Sequence, residues 1–232
     1  MIGCIVQARM GSSRLPGKTL MKIDDKNTVL DFVINQLSYS KMIDKIIIAT
    51  TNLKGDDIIE HFVKKYDIEF FRGNSDDVLD RYFQCAKNFS INTIVRITAD
   101  NPLIDPTIID DLIKKFLSNS YDYLSNAFIR TFPYGTEVEI FSFEALEKTW
   151  KNATKLFERE HVTPYFHNNP QSFKIFYEKN SKNLSNLRWT LDNENDLILI
   201  KAIASKISKK PILMNDILDL FSKKPELFKT TQ

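Results

Sequence analysis

Between residues 2 and 117, short and almost wholly apolar runs alternate with longer segments whose apolar residues recur at helical spacing. No other feature narrows the fold as far. Residues 2–6 read as a buried strand, and residues 27–37 as a helix with Val29, Leu30, Val33, Ile34 and Leu37 on one face. Residues 45–49 repeat the strand pattern, and residues 56–66 the helical one through Ile58, Ile59, Phe62, Val63 and Tyr66. A strand at 68–71, a helix at 76–89 and a strand at 93–98 follow. Pro106 then suits the first turn of a helix running through Ile108, Ile109, Leu112, Ile113, Phe116 and Leu117. Strands that are apolar along their whole length are covered on both faces. The pattern therefore predicts an α/β fold, a mostly parallel twisted sheet with helices on both sides. Such sheets take their ligands just beyond the carboxyl ends of the strands. That points to the segments after Val6, Ala49, Phe71 and Thr98.

The second half is less regular. Residues 136–141 alternate like an antiparallel strand, and residues 142–150 read as a helix with Ser142 as its cap. Residues 157–167 have helical character interrupted by Pro164, and residues 173–177 alternate again. Residues 188–191 are a candidate strand, residues 194–207 a strong helix, and residues 213–221 a further one. No repeat or linker divides the chain. The expectation is one domain over 1–232, with a nucleotide-binding half at 1–125 and an acceptor-side half at 126–232 that holds a smaller antiparallel region.

Bulk properties remove several function classes. The 32 basic and 30 acidic residues leave a net charge of +2, which argues against a dedicated nucleic-acid binder. Cys4 and Cys85 form no C-x-x-C pair and sit in apolar surroundings, so both are expected to be core residues, consistent with a reducing cytoplasm. The amino terminus lacks the basic start of a signal peptide, and no apolar stretch reaches the roughly 18 residues of a membrane span. A soluble, cytoplasmic protein is expected.

The segment after the first strand is the most informative: Gln7-Ala8-Arg9-Met10-Gly11-Ser12-Ser13-Arg14-Leu15-Pro16-Gly17-Lys18. Three cations, Arg9, Arg14 and Lys18, stand among small residues that let a backbone approach a polyphosphate and aim N–H groups at it. Arginine forks two bonds to phosphate oxygens and lysine supplies a point charge. A solvated basic loop is the competing reading, and position at the ligand end of the sheet favours phosphate. The interval from Gly11 to Gly17-Lys18 is wrong for a P-loop, and the string is no dinucleotide fingerprint.

With these residues in view, the chain resembles the SpsF-like cytidylyltransferase family. That family is related to the synthetases of CMP-Kdo and CMP-sialic acid and lies within the nucleotide-sugar pyrophosphorylase superfamily. Residues 7–18 look like its signature loop, and five later stretches match in order. These are Ala49-Thr50-Thr51, Phe71-Arg72-Gly73-Asn74-Ser75-Asp76-Asp77-Val78-Leu79-Asp80-Arg81-Tyr82, Val95-Arg96-Ile97-Thr98-Ala99-Asp100-Asn101-Pro102-Leu103-Ile104-Asp105, and the pair Arg159-Glu160-His161-Val162-Thr163-Pro164-Tyr165 and Leu187-Arg188-Trp189-Thr190-Leu191-Asp192. The resemblance spans nearly the whole chain.

The resemblance implies a GT-A-like, Rossmann-like nucleotidyltransferase that uses CTP and Mg2+ to activate a sugar-like acid or a sugar or polyol phosphate for surface glycan synthesis. It implies catalytic roles for Arg14, Lys18 and Asp100, and metal ligation by Asp100 and Asp192. Nucleotide contacts fall on Gln7, Ala8, Arg9, Met10, Gly11, Ser12, Thr50, Arg72, Ser75, Arg81, Thr98 and Ala99. Arg130, Tyr134, Gly135, Glu137, Glu139, Arg159, Glu160 and His161 are candidates for the acceptor pocket, and the Tyr134-Gly135 region for a homodimer contact. Local readings compete at several positions: a helix cap at Asp192, a turn at Asp100, an Arg81–Asp77 surface pair, a solvated Arg130, and a structural His161. A guanylyl- or uridylyltransferase, a glycosyltransferase and a silent nucleotide sensor stay open. The D-x-D pair of many glycosyltransferases is missing around Asp100.

Overall fold

Strand β1 (Ile2–Gln7) lies between β2 (Lys45–Thr51) and β4 (Thr93–Thr98) and is parallel to both in the computed structural model, which describes residues 1–231. The chain moves outward through β2 to β3 (Glu69–Gly73), then returns to the other side of β1. The sheet order is β3-β2-β1-β4-β6-β5-β7, with β5 at Tyr123–Ser125, β6 at Glu139–Ser142 and β7 at Ile175–Tyr177. Among the described strands only β6 runs against its neighbours, so the sheet is mostly parallel as expected. The reversal of strand order beside β1 is a topological switch point, and it opens a crevice above the ends of β1 and β4.

Alternation along β1 explains the two-sided covering. Cys4 and Val6 point into a core shared with α1 (Val29–Leu37), α2 (Asp57–Val63) and α4 (Pro106–Asn119). Ile5 points the other way, into a core with α3 (Val78–Asn88), α5 (Phe143–Asn152) and α7 (Pro164–Asn168). Both cysteines are buried and free, and burial pushes the Cys85 thiol up to about 12. A third apolar cluster joins Trp189 and Leu191 to α8 (Glu194–Lys206) and α9 (Met214–Lys223). It fixes the segment that carries Asp192.

Capping explains where helices begin. The Thr28 hydroxyl accepts from the Asp31 N–H while the Asp31 carboxylate accepts from Thr28, so α1 starts at Val29 and not at the expected 27. Ser142 caps α5 as read from the sequence. Three expectations change. The strand expected at 136–141 is only its second part, because Thr136 and Val138 bond to Asn126 instead of entering a ladder. The helical stretch at 157–167 is two helices, α6 (Leu156–His161) and α7, separated at Val162, whose φ is 71°. Residues 188–191 form no strand, and a single bridge ties Arg188 to Tyr134. The three-residue β5 was not anticipated. Among the described residues no helix is long and apolar enough to cross a membrane.

Candidate active site

The loop leaving β1 is shaped by its own backbone. The N–H groups of Ser12 and Gly17 both donate to the Met10 carbonyl at 2.9 Å, which folds residues 10–17 back on themselves. Gly17 closes this turn at φ 75°, a left-handed value that favours glycine. Two anchors hold the start of the loop: the Met10 N–H donates to buried Asp56 at 2.7 Å, and the Thr19 hydroxyl donates to the Arg9 carbonyl at 2.9 Å. The fold-back delivers Lys18 under the crevice while Arg9 and Arg14 stay at its mouth. A cavity of about 160 Å³ results, lined by Gln7, Ala8, Arg9, Ser12, Ser13, Arg14, Lys18, Thr19, Thr98, Ala99 and Asp100. Most of the residues expected around the phosphates are thus gathered in one place, with Met10 and Gly11 in the same loop.

At the floor of that cavity the Lys18 ammonium donates to Asp100 Oδ2 at 2.8 Å, to the Leu191 carbonyl at 2.7 Å and to Asp192 Oδ1 at 3.2 Å. Arg14 Nη2 lies 2.7 Å from the same Asp192 oxygen. The Thr98 hydroxyl fixes the other oxygen of Asp100 at 2.6 Å. The backbone also couples the two acids: the Leu191 N–H and the Thr190 hydroxyl both donate to the Asp100 carbonyl. Burial alone would raise the Asp192 pKa; the hydrogen bond from Arg188, Lys18 and the charge of Arg14 outweigh it and hold the carboxyl below its ordinary range. Asp192 is not a cap. The cap of α8 is Asn193, in a reciprocal box with Asp196.

A second cavity, about 410 Å³, shares Arg9 with the first and is otherwise lined by Asn74, Ser75, Asp76, Asp77, Val78, Leu156, Arg159 and Glu160. Arg9 therefore stands between the two. Arg159, expected near the acceptor, instead donates to Asp77 and to the Trp150 carbonyl and pins α6 to the start of α3. Asp77 is thus not the partner of Arg81. Arg81 is fully buried, gives one bond to the Asn74 carbonyl at 2.8 Å, and leaves Nε and Nη2 without partners. Burial, with the charge of Arg9 adding to it, lowers its pKa. Thr50 is buried too, its hydroxyl unpaired.

Three candidates lie elsewhere. Arg72 is turned outward, its guanidinium held by Asp57 at 2.6 Å, Glu60 at 3.1 Å and the carbonyls of Thr51 and Leu53. Glu139 is drawn into the sheet, opposite Arg96 in the β4–β6 register, where it pairs with Arg96 and accepts from Tyr123. Burial would raise its pKa, but Arg96 and these bonds keep it low. His161 lies against the exposed Phe157 ring at the end of α6, with centroids 4.4 Å apart and the planes tilted by 56°. Among the residues expected to meet the acceptor, Glu137 accepts from Arg130 at 2.6 Å, from the Gly135 N–H at 2.7 Å and from Asn101 at 3.3 Å. The Arg130 guanidinium covers Tyr134 at 3.7 Å. Gly135, at φ 105°, has no room for a side chain, because a Cβ would meet Trp189 at 2.7 Å.

The sequence reading missed Arg188 and Asp196. Arg188 Nη2 donates to Asp192 Oδ2 at 2.5 Å and to Asp196 at 3.2 Å, while Asp196, 2% exposed, also accepts the N–H groups of Asp192 and Asn193. The available signal was the spacing of Asp192 and Asp196 at four and eight residues from Arg188.

The donor set suits a small hard cation. Asp100 and Asp192 each direct an oxygen at one point, marked by the Lys18 ammonium. Among the described residues no cluster of three or more acids, histidines or cysteines gathers as a metal site. Mg2+ asks for no more than one or two carboxylates beside phosphate oxygens and water.

Comparison with known proteins extends the geometry. A family described as cytidylyltransferase matches residues 3–202. A cytidylyltransferase of known structure from Leptospira borgpetersenii serovar Hardjo-bovis is 36% identical with a TM-score of 0.95, over 100% of this chain and 97% of that one. The spore coat polysaccharide biosynthesis protein SpsF of Bacillus subtilis is 31% identical over 238 residues, covering 96% of this chain and 94% of its own. An uncharacterised protein of Methanocaldococcus jannaschii is 38% identical over 225 residues, 96% of this chain and 91% of its own.

Proposed function

The chain belongs to the cytidylyltransferase family, and from that premise we propose that it transfers CMP from CTP to a sugar-like acid or a sugar or polyol phosphate, with release of pyrophosphate, for surface glycan synthesis. The observation that carries this reading is the convergence of Lys18, Asp100 and Asp192 beneath a cationic loop at the switch point of the sheet. An acceptor oxygen attacks the α-phosphorus, a new P–O bond forms, and the bond to the β-phosphate oxygen breaks in line. Arg9 and Arg14 hold the triphosphate at the mouth of the cavity. Lys18 moves from the carboxylates to the phosphate oxygens and offsets the charge that grows on them. Bound at Asp100 and Asp192, Mg2+ would supply Lewis-acid stabilisation of that charge. An acceptor phosphate is already anionic and needs no base, whereas an acceptor hydroxyl must lose its proton.

The full-length protein is titrated calorimetrically with CTP, UTP, GTP and ATP, each with Mg2+, and pyrophosphate release is followed with a panel of acidic sugars and sugar phosphates. CTP is expected to bind most tightly and alone to support release. Tighter binding of GTP or UTP would sink the cytidylyl reading. Sedimentation tests the homodimer that forms part of this proposal.

A further inference from the structure

The two oxygens of Asp192 are not equivalent. Oδ1 faces Lys18 at 3.2 Å and Arg14 at 2.7 Å, on the cavity side. Oδ2 is taken by Arg188 Nη2 at 2.5 Å. Arg188 is itself held: Nε donates to Asp196 Oδ1 at 3.3 Å and Nη2 to Asp196 Oδ2 at 3.2 Å, a forked grip on a carboxylate that is almost wholly buried. Asp196 Oδ2 also accepts the Asp192 N–H at 2.7 Å, so one buried acid fixes both the backbone of Asp192 and the arginine that occupies its far oxygen. The arginine's other side is limited by Tyr134, whose ring centre lies 5.8 Å from its guanidinium carbon.

From this we infer that Arg188 is a positioning residue that makes Asp192 a one-oxygen ligand, and so selects a small octahedral cation such as Mg2+ or Mn2+ against Ca2+. The inference rests on the proposed metal site at Asp100 and Asp192. The chemistry is direct. Ca2+ takes six to eight oxygens and readily accepts both oxygens of one carboxylate, whereas Mg2+ demands near-octahedral geometry and a few single-oxygen ligands. With Oδ2 engaged by a forked cation, Asp192 has one oxygen left to give. Without Arg188 the carboxylate is free to turn and chelate, and the larger ion gains the second oxygen. Lysine cannot reproduce the effect fully, since it is a point charge that does not fork between two carboxylates.

The test measures ion preference and not turnover. Full-length protein with a non-hydrolysable CTP analogue is loaded with Mn2+, the bound ion is read by its electron paramagnetic resonance signal, and Ca2+ is titrated in as competitor, with the nucleotide alone as baseline. In the wild type, Ca2+ is expected to displace Mn2+ poorly. In Arg188→Met the concentration of Ca2+ that displaces half the Mn2+ should fall by about 10- to 100-fold, the usual reach of groups that orient a ligand. Asp196→Asn should shift it the same way. Arg188→Lys, which keeps a cation beside Asp192, should shift it less and serves as the folded variant if Arg188→Met does not fold. An unchanged Ca2+ to Mn2+ ratio, or an equal loss of both ions, overturns the inference and leaves the proposed function standing. A wild-type protein that binds the CTP analogue but holds no divalent ion beyond the baseline overturns the metal site and this inference together. Failure to bind the analogue at all overturns the cytidylyl reading beneath them.

Discussion

Lys18 and Asp100 meet at 2.8 Å although 82 positions separate them in the chain, and the same ammonium reaches Asp192 from 174 positions away. One side chain thus closes the crevice between the loop after β1, the loop after β4 and the turn before α8. On the proposed metal site, Lys18 and a divalent cation compete for the same two carboxylates. In Lys18→Met, both acids lose that counter-charge, so Mn2+ binding without nucleotide should become tighter than in the wild type. Turnover should fall by about 100- to 1000-fold, as for loss of one charge-stabilising donor. Calorimetry and a pyrophosphate assay read the two effects separately. Unchanged ion affinity with intact folding would show that Lys18 does not guard the site.

Glu139 is predicted to matter for stability and not for acceptor affinity. Its ion pair with Arg96 lies across the β4–β6 ladder, with side-chain exposures of 10% and 16%. Glu139→Gln leaves the guanidinium there without a counter-ion, and breaking a buried pair from one side costs about 3–5 kcal/mol. Replacing both, as Arg96→Met with Glu139→Leu, should recover most of the loss, because the charge and its partner leave together. Urea unfolding measures both variants. A double variant no more stable than the single one would defeat the ion-pair account.

The acid limb of stability should have two steps. His167 lies between the hydroxyls of Tyr177 at 2.9 Å and Tyr123 at 3.5 Å, under the ring of Phe128. Burial pushes its pKa below the ordinary 6.5, against the opposing charge of Glu139. The unfolded chain therefore takes up the proton first. The contribution is fully present above pH 6.5 and is lost as pH falls toward the lower folded value. Glu139, also depressed in the fold, adds a second loss as pH falls below its ordinary 4.5. His167→Gln should flatten the dependence between pH 7 and pH 5 (about the range in which a histidine titrates) and leave the lower step in place. Unfolding free energies measured across that range check it, and an unaltered slope in the variant would assign the first step elsewhere.

Much of this was readable from the residues. The central strands are almost continuously apolar because helices cover them on both faces, with Lys45 at one end and Arg96 within β4 as the charged exceptions, so 2–6, 45–49 and 93–98 announce themselves. Tyr123-Leu124-Ser125 does not, since three residues have no measurable period; tertiary pairing with β6 and β7 makes it a strand. Lys18, Asp100 and Asp192 could be named because each follows an element whose end faces the crevice, or sits in a quoted motif. Arg72 was expected near the base for the same reason, yet Asp57 and Glu60 on α2 turn it away, and nothing local to Arg72 reveals that. Arg188 escaped because its partners surround an irregular turn, where neither helical nor strand spacing applies.

Arg81 offers the clearest separation of folding from binding. A fully buried guanidinium with one hydrogen bond and two empty donors burdens the fold, since burial of a charge is costly unless it is paired and bonded. Its aliphatic stem nonetheless packs on Gly73, where a Cβ would come within 2.8 Å of the Arg81 Cγ. Methionine keeps such a stem and removes the charge. If Arg81 served only packing, Arg81→Met would be neutral or better in every measurement. On the proposed function Arg81 lies behind the second cavity, close enough to Arg9 to feel its charge and bonded to the carbonyl of Asn74, which lines that cavity, and removing the Arg81 guanidinium should weaken CTP binding. The expected outcome is a melting temperature equal to or above that of the wild type, together with a CTP affinity reduced about tenfold, or 1.4 kcal/mol. Equal affinity in a stable variant would assign Arg81 to the core alone and remove it from the nucleotide site.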